Sequence, residues 1–189
     1  MFKTSALVMA CALGLLTACH SQPIARDTPG VAAGIELREP RPGLYTAGQP
    51  AAGDWQAIAA RGVTTVVNLR TASEMQGRDE AAEVRAAGMR YVEIPVAGAD
   101  GITDANARLL RDALAGANGP VLVHCASANR AGALLAVSEA RYGGAAPEQA
   151  IALGRKAGMA STEARVRALL QAPDPACAVA VAAAPVHCP

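Results

Sequence analysis

The chain has 189 residues, 17 Lys+Arg against 16 Asp+Glu, and a formal net charge of +1. That balance excludes a strongly basic nucleic-acid binder and an acidic disordered tail, and no nucleic-acid partner is expected. Hydrophobic residues make up 52% and charged residues 17%, a composition that folds rather than stays disordered. With one Trp, three Tyr and one Phe, the core must be built from Ala, Val, Leu and Ile.

The segment 1–18 reads as an export signal rather than as fold. Lys3 supplies a positive start, and the run from Thr4 to Ala18 is uncharged. That run is too short for a membrane-spanning helix. It ends in Leu16-Thr17-Ala18-Cys19, which resembles the lipobox of bacterial lipoproteins. The resemblance implies that Cys19 is acylated and becomes the first mature residue, with the membrane as a partner through the lipid anchor. His20 follows the Cys. In the resembled lipoproteins an Asp there favours inner-membrane retention, so the expected location is the periplasmic face of the outer membrane. Residues 19–42 are then a Pro/Gly/Arg-containing tether, with Ile35-Glu36-Leu37-Arg38 alternating as an edge strand would.

A regular alternation of strands and helices occupies 43–172. Leu44-Tyr45-Thr46 is a short strand. Asp54 to Arg61 is a helix with Trp55, Ile58 and Ala59 at core spacing, stopped by Gly62. Thr64 to Leu69 is β-branched and reads as a buried strand. Ser73 caps a helix that runs to Gly88. Tyr91 to Ile94 is the next strand, closed by Pro95. Thr103 caps a helix carrying Leu109, Leu110 and Leu114. Pro120-Val121-Leu122-Val123-His124 is a continuous apolar strand. Helices follow over Ala131–Tyr142, Pro147–Lys156 and Ser161–Gln171. This pattern predicts one α/β domain, with a mainly parallel sheet of four to five strands and helices on both faces. Ligands of such sheets bind at the carboxyl ends of the strands.

Residues 173–189 form a Pro/Ala-rich tail holding Cys177 and Cys188. In an oxidising compartment these two neighbours are the natural disulfide pair. Cys125 remains as the odd thiol, and an odd thiol in an exported protein is flagged as reactive.

Cys125 sits where a strand turns into a helix, in the run His124-Cys125-Ala126-Ser127-Ala128-Asn129-Arg130. A loop that opens a helix directs backbone N–H groups into one concavity with the helix dipole behind them. Thiolates are favoured at such positions. The planar fork of Arg130 can hold two oxygens of a tetrahedral anion. Residues Ala126, Ser127, Ala128 and Asn129 are thus the expected phosphate-binding loop, with Asn129 suited to a left-handed backbone position. The expected ligand is a phosphorylated substrate or a small oxyanion. The three His are scattered and no Cys pair has metal spacing, so neither metal nor cofactor is called for.

His124-Cys125 followed by Arg130 resembles the signature of cysteine-dependent tyrosine and dual-specificity phosphatases. More closely, the chain resembles the bacterial phosphatase-like domain found fused to β-lactamase-like hydrolases, over about residues 43–160. The matching segments include Leu44-Tyr45-Thr46-Ala47-Gly48-Gln49-Pro50, Gly62 to Arg70, Gly88 to Val96 and Gly154 to Gly158. The resemblance implies hydrolysis of phosphate monoesters through a phosphocysteine. Cys125 is then the nucleophile, Arg130 the phosphate-binding residue and an Asp the general acid. Asp100 is the candidate acid, in a turn after a strand and flanked by Gly98 and Gly101. Asp104 fits better as a helix-dipole partner. Arg70 ends a strand, where it can charge the rim or pair with a carboxylate. Four residues separate Cys125 from Arg130, one fewer than in the main phosphatase signature. That short loop is shared with rhodanese-type sulfurtransferases, which would use a Cys125 persulfide. A catalytically degenerate anion-binding lipoprotein is the third alternative.

Overall fold

The strand at the centre of the sheet is the most apolar one. Val121-Leu122-Val123-His124 is buried at all four positions, as a strand covered on both faces must be. The computed structural model describes residues 35–173. The signal segment 1–18, Cys19 and the Cys177–Cys188 pair lie outside the described residues.

Strands β1 (Arg38–Arg41), β2 (Leu44–Ala47), β3 (Thr65–Asn68), β4 (Arg90–Glu93) and β5 (Val121–His124) make one five-stranded sheet in the order β1-β2-β5-β3-β4. All neighbours are parallel except β1, which is antiparallel to β2. The expected α/β class with a mainly parallel sheet is therefore the observed one. The edge strand lies further along than expected. Ile35 and Leu37 pack against the core instead, and Gly43, at φ 74°, turns Arg38–Arg41 back onto β2. The sheet thus begins inside the segment read as a tether, because ladder hydrogen bonds and two apolar anchors outweigh its Pro- and Arg-rich composition.

Alternation along the strands divides the core. Val66 and Leu122 face α1 (Trp55–Ala60) and α3 (Glu80–Ala86), in a cluster with Trp55, Ile58 and Val84. Val67 and Val123 face the other way. They join a larger cluster with Leu110 of α4 (Asp104–Ala115), Leu134 of α5 (Asn129–Tyr142), Ile151 of α6 (Pro147–Lys156) and Val166 of α7 (Glu163–Gln171). Helix α5 is buried from Arg130 to Ser138, so a central helix accounts for the Ala/Leu-rich sequence.

The helix expected from Ser73 to Gly88 is two helices. α2 spans Ala72–Met75, Gln76 and Gly77 take positive φ, and Asp79 caps α3 by accepting from the Ala82 N–H at 2.9 Å. Gly77 and the Asp79 cap win over continued helix because each stabilises a break. The break lets α2 stand over the carboxyl edge of the sheet.

Register brings the functional segments to that edge. His124 is level with Ala47 on one side and Asn68 on the other, and Asn68 is level with Glu93. The segments after Ala47, Asn68, Glu93 and His124 therefore leave the sheet side by side.

Candidate active site

The loop from Cys125 to Arg130 is held by the turn that follows β2. The Gln49 N–H donates to the Ala126 carbonyl at 3.3 Å, and Gly48 bridges to Ser127. A side chain on Gly48 would place its Cβ 3.1 Å from the Ala126 oxygen. The Gly48-Gln49-Pro50 turn thus borders the site as well as closing β2.

Ala128, not Asn129, takes the left-handed conformation, at φ 68°. Asn129 is instead the first residue of α5, and its side chain ties the loop to the α6–α7 connection. Its Oδ1 accepts from the Ala160 N–H at 2.7 Å and from the Thr162 hydroxyl at 2.8 Å, and its Nδ2 donates to Ser161 Oγ at 2.7 Å. A non-glycine residue in that backbone region costs about 1–3 kcal/mol and persists only where the surroundings impose it. Here Gly158, at φ 102°, makes the room, since a Cβ on it would lie 2.7 Å from Ala128 Cβ.

A cavity of about 410 Å3 lies over the loop. It is lined by Ala126, Ser127, Asn129 and Arg130, with Glu74 and the Gly98–Ala99 turn opposite. Because α5 opens at Asn129, its first amides have no acceptor inside the helix. Cys125 is 1% exposed and packed in the core at the base of the loop. The site therefore gathers three of the expected loop residues and Arg130 around one cavity, with the thiol buried and Ala128 turned inward.

Arg130 is fixed from two sides. Its Nη1 donates to the Val96 carbonyl at 2.7 Å and to Glu74 Oε2 at 2.9 Å, and its Nη2 donates to Glu74 Oε1 at 2.6 Å. A guanidinium has five N–H donors. Nε and the second Nη2 hydrogen form the other edge of the fork, on which the Cys125 sulfur acts. The hydrogen bonds to Glu74 raise the Arg130 pKa, burial opposes, and the neighbouring Cys125 sulfur adds to the rise.

Glu74 was not legible as a site residue. Its carboxyl is held down at about 2, chiefly by Arg130, against burial and with help from the Thr71 N–H. Thr71 N–H donates to Glu74 Oε2 at 2.9 Å, so the N-terminal box of α2 aims the carboxylate at Arg130. A Thr-x-x-Glu spacing after β3 was the available signal.

A polar chain continues from Glu74 around the loop. Arg70 Nη2 donates to the Glu74 carbonyl and its Nη1 to Gln49 Oε1, both at 2.6 Å. Arg70 therefore pairs on the rim rather than standing free. Gln49 Nε2 donates to Glu80 Oε2. Glu80, 1% exposed, lies with its Oε1 2.9 Å from Nε2 of the fully buried His124. The two groups are in close polar contact. Burial opposes charge on Glu80, but His124, Gln49 and Arg78 outweigh it and its pKa is lowered. His124 packs edge-on to Trp55, ring centroids 6.1 Å apart, beneath the loop.

Asp100 is exposed in the turn after β4 and makes no hydrogen bond or ion pair among the described residues. It follows Gly98 and Ala99, which line the cavity, but does not line it itself. Gly98 sits at φ 57°. Gly101 is closed down on Ala97, whose carbonyl accepts its N–H at 3.0 Å. Asp104 pairs with Arg141 at 2.9 Å, a structural role.

A family model described as the phosphatase-like domain of β-lactamase hydrolase-like protein matches residues 36–142. The β-lactamase hydrolase-like protein of Agrobacterium fabrum is 38% identical over 104 residues, which covers 53% of this chain and 24% of that protein. The match thus spans about a quarter of that relative's length. Among solved structures, a Shewanella putrefaciens protein of the DUF442 group superposes with a TM-score of 0.55 at 26% identity, covering 72% of this chain and 92% of that one. TpbA of P. aeruginosa superposes with a TM-score of 0.59 at 25% identity, covering 79% and 92%.

Proposed function

This chain belongs to the phosphatase-like domain family of the β-lactamase hydrolase-like proteins, and on that premise we propose that it hydrolyses phosphate monoesters through a phosphocysteine. The observation that carries the reading is the placing of Cys125 and Arg130 at the two ends of one loop. Arg130 has one edge of its fork fixed by Glu74, and the other edge, beside the Cys125 sulfur, is the one that meets the phosphoryl group. Two parallel N–H groups on that edge match two oxygens of a phosphoryl group. The Cys125 thiolate attacks phosphorus as the bond to the leaving oxygen breaks. Asp100 gives that oxygen its proton. Water then attacks the phosphocysteine, returns a proton to Asp100 and frees phosphate and the thiolate. Glu74 cannot be the acid, since its pKa of about 2 keeps it ionised.

One observation favours a second reading, sulfur transfer through a Cys125 persulfide. No carboxyl that is protonated at neutral pH lines the cavity over the loop, and sulfur transfer needs none. Aryl phosphate hydrolysis measured beside thiosulfate-to-cyanide transfer decides between them. Phosphate release alone supports the phosphatase. Sulfur transfer alone, lost in Cys125→Ser, overturns it.

We also propose that the protein sits at the periplasmic face of the outer membrane, anchored by acyl chains on Cys19. The support is the Leu16-Thr17-Ala18-Cys19 run.

A further inference from the structure

Beside the cavity over the loop lies a second one, of about 500 Å3, with a carboxylate on its wall. Its walls include Ile35, Glu36, Arg38, Gln49 and Asp54. Ala126 and Ser127 line both cavities, so only the loop backbone separates them. Gly48 keeps that crossing low, because it presents no side chain above Ala126.

Asp54 is 8% exposed. Its Oδ2 accepts from the Ala51 N–H at 2.7 Å, and no cation pairs with it among the described residues. The carboxylate stands at the start of α1 and on the wall of the open cavity, where the helix dipole compensates it only in part. Glu36 and Arg38 are within 3.1 Å and neutralise one another. The groove therefore presents one negative charge with no side-chain cation paired to it among the described residues, carried by Asp54. Neither cavity is lined by an aromatic side chain, and Ile35 gives the groove an apolar wall for the stem of a long side chain.

We propose that this groove receives a basic side chain, Lys or Arg, of a phosphorylated polypeptide whose phosphoryl group occupies the neighbouring cavity. The proposal rests on the phosphatase reading. The phosphorylated residue sits over Arg130, the peptide crosses Ser127, and its cation meets Asp54. A small phosphomonoester fills the first cavity alone. Arg38 holds Glu36 on the groove wall, so removing it leaves the Glu36 carboxylate as a second negative charge there.

The test uses the full chain and two phosphotyrosine peptides, identical except for Lys or Ala on each side of the phosphotyrosine. The quantity read is the ratio of their kcat/KM values, which cancels any loss common to both. The wild type prefers the Lys peptide by roughly tenfold, the scale of one hydrogen-bonded charge. In Asp54→Asn, which keeps the oxygen that accepts from Ala51, the ratio falls to about one. In Arg38→Ala the ratio rises above the wild-type value. A wild-type ratio near one, or a tenfold ratio that survives Asp54→Asn, overturns the groove while p-nitrophenyl phosphate hydrolysis by the wild type still upholds the phosphatase reading. Hydrolysis of neither peptides nor p-nitrophenyl phosphate removes that reading and the groove with it.

Discussion

Glu74 and Arg130 face each other through two parallel hydrogen bonds, Oε1 to Nη2 at 2.6 Å and Oε2 to Nη1 at 2.9 Å. The pair joins α2, a single turn of helix, to the start of the buried helix α5. It spends one edge of the guanidinium on positioning, with the Cys125 sulfur beside the same group.

Removing the carboxylate therefore frees Arg130 to move. Glu74→Ala should destabilise the protein by about 1–3 kcal/mol, the cost of lost bonds to a charged group, and should weaken phosphate binding as well. The pH dependence has a definite sign. The carboxyl pKa falls from 4.5 to about 2 on folding, so its contribution is complete above about 4.5 and is lost as pH drops toward 2. The thermal midpoint gap between wild type and Glu74→Gln should be full at pH 7 and shrink below pH 4.5. A gap that grows on acidification contradicts the assignment.

Arg130→Lys keeps the charge but loses the fork. Turnover of an aryl phosphate should drop by about 10²–10³-fold, the scale of losing an oriented group that binds transition-state charge. Near-wild-type turnover would mean that Arg130 serves the Glu74 contact alone.

Asp100→Asn should separate substrates by leaving group. Alkyl phosphates need the leaving oxygen protonated, so their kcat should fall by about 10²–10⁴-fold. p-Nitrophenyl phosphate should change much less. Equal rates in variant and wild type on both would move the acid elsewhere.

Gly158→Ala tests the fit behind the loop. The new Cβ would lie 2.7 Å from Ala128 Cβ, at a position with φ 102°. The expected cost is about 1–3 kcal/mol or more, read as a lower thermal midpoint. Ala128→Gly in the same background should recover part of it by removing the clashing methyl. No recovery would mean that the strain at Gly158 is purely backbone.

Cys19→Ser should shift the protein from the membrane fraction to the soluble periplasm. An unchanged distribution contradicts acylation at Cys19.

Much of this arrangement is legible in the residue order. The apolar run at Val121–Val123 marks the central strand because a doubly covered strand needs no polar positions. His124-Cys125 and Arg130 mark the site because strand, loop and helix follow one another without interruption. What escapes is long-range or conformational. Glu74 lies far from Arg130 in sequence, and its pairing depends on the break at Gln76-Gly77 that a continuous acidic helix pattern conceals. The left-handed residue falls on Ala128 because Asn129 is drawn to Ala160 and Thr162, contacts made only after α6 folds back. The edge strand is displaced because the turn at Gly43, rather than the alternation of Ile35 to Arg38, sets its pairing.

The most direct measurement of the central claim is rapid-quench mass spectrometry during p-nitrophenyl phosphate turnover. The peptide containing Cys125 should carry one phosphoryl group in the wild type, formed at least as fast as turnover, and none in Cys125→Ser, whose phosphate release should fall by about 10³-fold or more. Phosphate release at the wild-type rate with Cys125 unmodified, or undiminished release by Cys125→Ser, would contradict the account.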